Sequence, residues 1–353
     1  MSDNSLTADE ISLYDRQIRL WGMAAQTSLR NSNILVINMS GVGVEIIKNL
    51  TLGGIGKLTI IDNNKLKEQD LNCNFFVEKD QIGEFKVNAS KLKIQDMNPR
   101  VKIEIDNRNW EDLEIEEFKK FQIIISTGLN SRQISKIDGI SRELNIPMIT
   151  CCVHGINGFI FNDLIKNLSW IKVEFNENRE IGEFNLVSNI VKIDEIMEND
   201  NKFHKLLIEN KFRKWDELNG KFLNLQFPSD KKKKKKINIL LIMILSLLDM
   251  NEEFYGKDIE DVMIDLEEFK LNINENLNKF ELPKSLIEFE NEKFDEYLKI
   301  FIRNAYCEYQ PSNSIIGGVV AQDVINTIVQ KELAINNVSI LDGFNSEMPV
   351  YIL

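Results

Sequence analysis

The chain has 353 residues, 43% of them hydrophobic and 28% charged, with a net charge of −12. That size suits one large α/β domain, or a domain with an insertion, and allows a sizeable core. The acidic balance argues against nucleic acid as the main partner. The longest apolar run, Ile239 to Leu248, is too short to cross a bilayer and reads as a buried helix, so no membrane partner is expected.

Leu13 to Asn31 reads as one helix, with Tyr14, Ile18, Leu20, Trp21, Ala25 and Leu29 as apolar surface. Asn33 to Met39 is an apolar strand, Gly43 to Leu52 a helix ending near Gly53-Gly54, and Lys57 to Ile61 a strand closed by Asp62. Phe85 to Met97 is a helix that stops at Asn98-Pro99. Val101 to Ile105 and Phe121 to Ser126 are strands, the second with the continuous apolar centre of a buried parallel strand. Arg132 to Leu144 is a helix, followed by strands at Ile146 to Cys152 and Gly158 to Asn162. This alternation predicts a doubly wound, mostly parallel, Rossmann-like α/β sheet.

Regularity fades beyond residue 165. Lys166 to Lys236 is rich in Asn, Glu and Lys and ends in six lysines, Lys231 to Lys236, so it reads as an insertion with a flexible loop at the lysine run. Ile237 to Met250, Glu290 to Tyr306 and Ser314 to Val329 read as helices, Asn337 to Asp342 and Pro349 to Ile352 as closing strands. The expected organisation is a Rossmann-like region over 1–165, an insertion over 166–236, and a helical segment over 237–353 that completes the first region.

A nucleotide loop needs glycines so that backbone N–H groups at a helix N-terminus can approach phosphate. Here Asn38-Met39-Ser40-Gly41-Val42-Gly43 keeps only Gly41 and Gly43, with bulky Met39 near the start. A tight strand–helix turn suits it better than a working phosphate loop. Asp62, roughly 20 residues further on, stands where a ribose-binding acid belongs, or caps a turn. The four cysteines form no C-x-x-C pair, so no zinc site is expected. Cys151 and Cys152 lie in an apolar strand and read as buried packing rather than nucleophiles. Two histidines in the whole chain, His154 and His204, leave no histidine triad or multi-histidine metal centre.

Tyr14-Asp15-Arg16-Gln17-Ile18-Arg19-Leu20-Trp21-Gly22 resembles the N-terminal motif of the ThiF/MoeB-like activating enzymes of ubiquitin-like modifiers. Gly41-Val42-Gly43-Val44-Glu45-Ile46-Ile47-Lys48-Asn49-Leu50 is similar to their glycine-loop helix, and Ile316-Gly317-Gly318-Val319-Val320-Ala321-Gln322-Asp323 to their Gly-Gly-x-x-Ala-Gln-Glu helix. Shorter matches fall at Leu71-Asn72, Gly83 with Lys86, Asn98-Pro99 and Leu341-Asp342-Gly343. The resemblance implies an adenylation fold in which two related domains pair. The active one binds ATP and Mg, adenylates the modifier's C-terminal glycine, and passes the acyl group to its own cysteine.

Departures from the pattern point to the inactive half. The active half's Leu-Asn-Arg-Gln-Phe is here Leu71-Asn72-Cys73-Asn74-Phe75. Its magnesium-binding Asp and following Asn fall on Thr127 and Gly128, counted back from Arg132. Without that carboxylate a hard Mg²⁺ ion loses a ligand, so the metal and ATP are expected mainly in the partner. Gly41, Gly43, Asp62 and Lys86 would then be a vestigial nucleotide set. In size and motifs the chain is most similar to the small subunits that pair with a catalytic subunit to activate SUMO. By that resemblance Arg16 crosses to the partner's site and meets the ATP γ-phosphate, a role suited to a guanidinium. The plainer alternative is a salt bridge to Asp15 or Glu10. Gly317-Gly318 would lie at the subunit interface or in internal packing. A nuclear location, with the cytoplasm as a second compartment, follows from the same resemblance, and Lys231 to Lys236 is an import signal or a solvated loop. The rivals are a subunit for another modifier, a self-sufficient MoeB-type enzyme, an NAD-dependent oxidoreductase, and a scaffold with a relict nucleotide fold.

Overall fold

A computed structural model describes residues 6–226, 237–250, 255–257, 263–283 and 292–353; the lysine run Lys231 to Lys236 lies outside them. The N-terminal stretch expected as one helix is three: α1 (Ala8–Leu13), α2 (Asp15–Trp21) and α3 (Met23–Arg30). Two residues break it. Tyr14 turns inward, buried, and its hydroxyl accepts from Asn98 Nδ2 at 2.8 Å. Gly22 adopts φ +90°, a conformation that L side chains avoid.

The core elements follow as β1 (Asn33–Ile37), α4 (Gly41–Gly53), β2 (Lys57–Ile61), α5 (Lys86–Met97), β3 (Lys102–Asp106), α6 (Ile115–Phe118), β4 (Ile123–Thr127), α7 (Ser131–Leu144), β5 (Met148–His154) and β6 (Asn157–Asp163). Strands β3-β2-β1-β4-β5 pair in parallel in that order, the arrangement of a doubly wound nucleotide-binding sheet. Alternate residues of each strand feed the two faces. Ile34 and Val36 of β1 join the layer formed with α3, α4 and α5, while Leu35 and Ile37 join the layer beneath α7.

The next stretch is more regular than its composition suggests. Strands β7 (Lys166–Glu174), β8 (Gly182–Asn185), β9 (Ser188–Glu198) and β10 (Asn201–Lys211) make a separate antiparallel sheet in the order β7-β10-β9-β8. Its own core is small: Ile190, Leu206 and Ile208, with Ile171, Val173, Phe184 and Ile193 around them. Helix α8 (Gly220–Gln226) follows, then α9 (Ile239–Leu248), α10 (Leu266–Lys279) and α11 (Glu292–Arg303). Nine of the ten α9 residues, Leu240 to Leu248, are buried, on the α7 side of the large sheet.

Helix α12 (Gln310–Val329) returns to the other face and packs along α4. A Cβ at Gly317 would lie 2.5 Å from Glu45 Cβ, so this glycine serves internal packing of α12 on α4; Gly318 has open space around it. Finally β11 (Val338–Leu341) and β12 (Val350–Tyr351) extend the large sheet antiparallel beyond β6. The chain is thus α/β, with a mostly parallel central sheet.

Candidate functional site

In a doubly wound sheet, ligands bind outside the carboxyl ends of the strands, where the first strand turns into its helix. Here that corner brings Gly41, Gly43, Asp62 and Lys86 together. The turn from β1 into α4 is tied down by its own bonds. Asn38, at φ +66°, donates from Nδ2 to Thr127 O at 2.9 Å and accepts at its own carbonyl from Thr127 Oγ1 at 3.0 Å. Ser40 donates to Thr127 Oγ1 at 2.7 Å and caps α4 by accepting from Gly43 N at 3.2 Å. Gly41 N, one of the free donors of the helix start, donates to Glu308 Oε1 at 2.8 Å.

Asp62 is also fully engaged. It accepts from Met39 N at 2.7 Å, from Asn64 N at 2.8 Å and Asn64 Nδ2 at 3.0 Å, and from the Tyr255 hydroxyl. Burial, then the Asp62 carboxylate, push the Tyr255 phenol well up, so it stays protonated and donates. Lys86 is buried and pairs with Asp70 at 2.7 Å, beneath the Tyr255 ring at 4.9 Å. Burial works against this ammonium, but Asp62, Asp70 and Glu308 outweigh it and raise its pKa. Glu308 is pushed up by burial, with Lys86 and the Gly41 N–H acting the other way.

Tyr255 is held over this corner from a distant part of the chain. Lys67 Nζ donates to Gly256 O at 2.8 Å and Gln69 Nε2 to Lys257 O at 3.0 Å. A Cβ on Gly128 would come within 3.2 Å of the Tyr255 ring. What remains is a cavity of about 170 Å³, bordered by Asn313, Cys152 and Cys307 among others. Ligand pockets usually run to several hundred Å³. The buried Asn313 amide borders this space beside Cys73.

A nucleoside triphosphate does not fit this corner. The position that would carry a metal carboxylate is Thr127, buried and already bonded to Asn38 and Ser40. Three carboxylates already surround the Lys86 ammonium, so an added polyanion would have to compete with them for it. Nor is there an activated thiol. Cys152 Sγ lies 3.1 Å from His154 Nε2, a pair that invites a nucleophile–base interpretation. Yet Tyr306 N donates to His154 Nδ1 at 3.0 Å, which puts the imidazole proton on Nε2, facing the sulfur. The ring is therefore a donor to Cys152 and cannot take its proton. Burial pushes the imidazole down to about 3 and the thiol further up, which keeps both neutral.

Arg16 lies elsewhere, near the start of α2 and exposed. The two acids that could have held it are taken: Asp15 pairs with Arg19 at 2.9 Å, and Glu10 with Arg30 at 2.7 Å. Among the described residues Arg16 has no ion pair or hydrogen bond. Large apolar side chains are exposed on the same helices and at the end of α4: Leu13, Leu20, Met23 and Leu52, with Leu20 73% exposed. Glu308, Tyr255 and Asn313, which complete the corner, have no sequence signal of their own; they meet it only through contacts such as Gly41–Glu308, 267 residues apart.

A sheet of this order, with a glycine turn facing a ribose-type acid and a buried lysine, defines a Rossmann-like, doubly wound fold. Residues 14–351 match the ThiF family, and the chain belongs to that family. It is 31% identical over 355 residues to the DNA damage tolerance protein RHC31 of Saccharomyces cerevisiae, covering 99% of both chains. It is 31% identical to rad31 of Schizosaccharomyces pombe, another DNA damage tolerance protein, again over 99% of each. With the SUMO-activating enzyme subunit 1 of Dictyostelium discoideum it shares 26% identity, over 96% of this chain and 92% of that one.

Proposed function

We propose that this chain is the non-catalytic subunit of a heterodimeric SUMO-activating enzyme. It supports adenylation of the SUMO C-terminal glycine and thioester formation on a catalytic partner, and it supplies Arg16 in trans to the γ-phosphate of the partner's ATP. Several relatives of nearly equal length carry the name SUMO-activating enzyme subunit 1, which favours this modifier over others. The single observation that carries the proposal is the contrast between a blocked internal corner and an exposed Arg16 with no ion pair among the described residues, on a run of helices that also exposes apolar side chains. An always-charged planar fork with no partner among the described residues is suited to a phosphate on another molecule. The exposed apolar groups on these N-terminal helices are what a docking partner would cover. A nuclear location belongs to the same proposal.

ATP–pyrophosphate exchange with SUMO tests it, for the chain alone and mixed with a catalytic subunit. Exchange only in the mixture is the expected result. Exchange by the chain alone would establish a self-sufficient enzyme and overturn the proposal. Exchange in the mixture with a different modifier, and none with SUMO, would reassign the modifier while keeping the subunit role.

A further inference from the structure

Each polar group that a nucleotide would use in this corner already has a partner from the same chain, and the partners have the right chemistry. The N-terminus of α4 favours an anion, through its free N–H groups and the positive end of the helix dipole. It has one: Glu308 Oε1, 2.8 Å from Gly41 N. A ribose-type acid favours a hydroxyl donor, and the Tyr255 hydroxyl donates to Asp62. A phosphate-facing lysine needs negative charge, and Asp70 supplies it at 2.7 Å. The glycine that would let phosphate approach is now needed for a side chain, because a Cβ on Gly41 would lie 2.2 Å from Asn313 Nδ2 and 2.9 Å from Cys73 Cβ.

We propose that this corner is a nucleotide site filled by an internal ligand, with the Glu308 carboxylate in place of a phosphate and the Tyr255 phenol in place of a ribose hydroxyl. The internal ligand also does the mechanical work of a bound nucleotide. It ties the segment 255–257 and the approach to α12 onto the β1–α4 turn and the stretch 62–73. The space the two substitutes leave over, bordered by Asn313, is large enough for water and too small for a nucleotide. The closure is independent of what Arg16 does, and its test reads binding to this chain rather than adenylation.

The test uses the full chain, alone and in complex with its catalytic partner. Wild-type protein is exposed to a photoreactive azido-ATP and the label is sought on this chain's own mass. No label at Asp62 or the α4 turn is expected; saturable labelling there would overturn the proposal without any variant. In parallel, Glu308→Ala removes the internal anion and leaves Gly41 N–H and Lys86 facing the space. Inorganic phosphate should then raise the melting temperature of Glu308→Ala by roughly 2 °C or more near saturation, and leave wild type unmoved. Adding Lys86→Met should cancel the gain. A folded Glu308→Ala that responds to phosphate no more than wild type would show that the carboxylate was not occupying an anion site, and would overturn the assignment.

Discussion

Two cations in this chain stand in opposite circumstances. Lys86 is buried, paired with Asp70, roofed by Tyr255 and surrounded by the charge of Asp62 and Glu308. Arg16 is exposed on a short helix whose one acid, Asp15, pairs with Arg19, while Glu10 of the preceding helix pairs with Arg30. A phosphate approaching Lys86 would first have to displace carboxylates already in place, at a cost comparable to breaking a buried ion pair. A phosphate approaching Arg16 displaces only water. The difference teaches where function can reside in a fold whose usual pocket is closed: on the surface that meets another molecule.

The largest expected effect sharpens that contrast directly. Arg16→Ala should lower pyrophosphate exchange by the assembled enzyme by about 10³-fold, the low end of the scale for an arginine supplied in trans, while complex formation measured by gel filtration stays intact. Equal exchange by the variant would return Arg16 to the status of an ordinary surface residue.

The interior should respond through stability instead. Asp323 lies buried on α12, the helix that also carries Asn313, and accepts from Asn162 Nδ2 at 2.8 Å and Ile335 N at 3.1 Å. Burial pushes its carboxyl up to about 6, against the opposing effect of those two bonds. With the folded value above the unfolded one, its favourable contribution is complete below about pH 4 and is lost as pH rises through 6. Relative to Asp323→Asn, wild type should therefore lose up to about 3 kcal/mol between pH 4 and pH 7. Urea midpoints of the two proteins that run parallel across that range would show that Asp323 is not desolvated. Next in size, Gly41→Ala should cost about 1–3 kcal/mol, because the new methyl group meets Asn313 and Cys73. An unchanged urea midpoint would mean that the corner is looser than its contacts imply, and the contrast with Arg16 would weaken.

The parallel half of the sheet was legible because strands buried on both faces read as unbroken apolar runs, as in Ile123 to Ile125. The separate antiparallel sheet was not. In β7, Asn167 and Ser169 are buried while Trp170 is only half-buried, and its ring lies beneath the ammonium groups of Lys192 and Lys205. Charge and aromatic surface share a face there, so polarity does not alternate cleanly. Likewise Asp62 and Lys86 could be placed by spacing from a motif, whereas Tyr255 meets Asp62 across 193 residues of chain. The single helix expected over 13–31 missed the inward turn of Tyr14, which depends on Asn98 and so on tertiary contact. Gly22 did offer a local hint of a break.

The smallest expected effect is also the cleanest control on the contrast between the two regions. Arg19 sits three residues from Arg16 on the same short helix and is likewise exposed, but its guanidinium is paired with Asp15 at 2.9 Å in an i,i+4 arrangement. Exposed pairs of this kind contribute little, so Arg19→Ala should change stability by less than about 0.5 kcal/mol. If the surface acts simply through positive charge near a partner, removing either arginine should slow exchange alike, and raised salt should mimic both. If instead the Arg16 guanidinium alone reaches a phosphate, Arg19→Ala should keep exchange within about twofold of wild type while Arg16→Ala loses most of it. Matched losses in the two variants would replace a residue-specific contact with a diffuse electrostatic one.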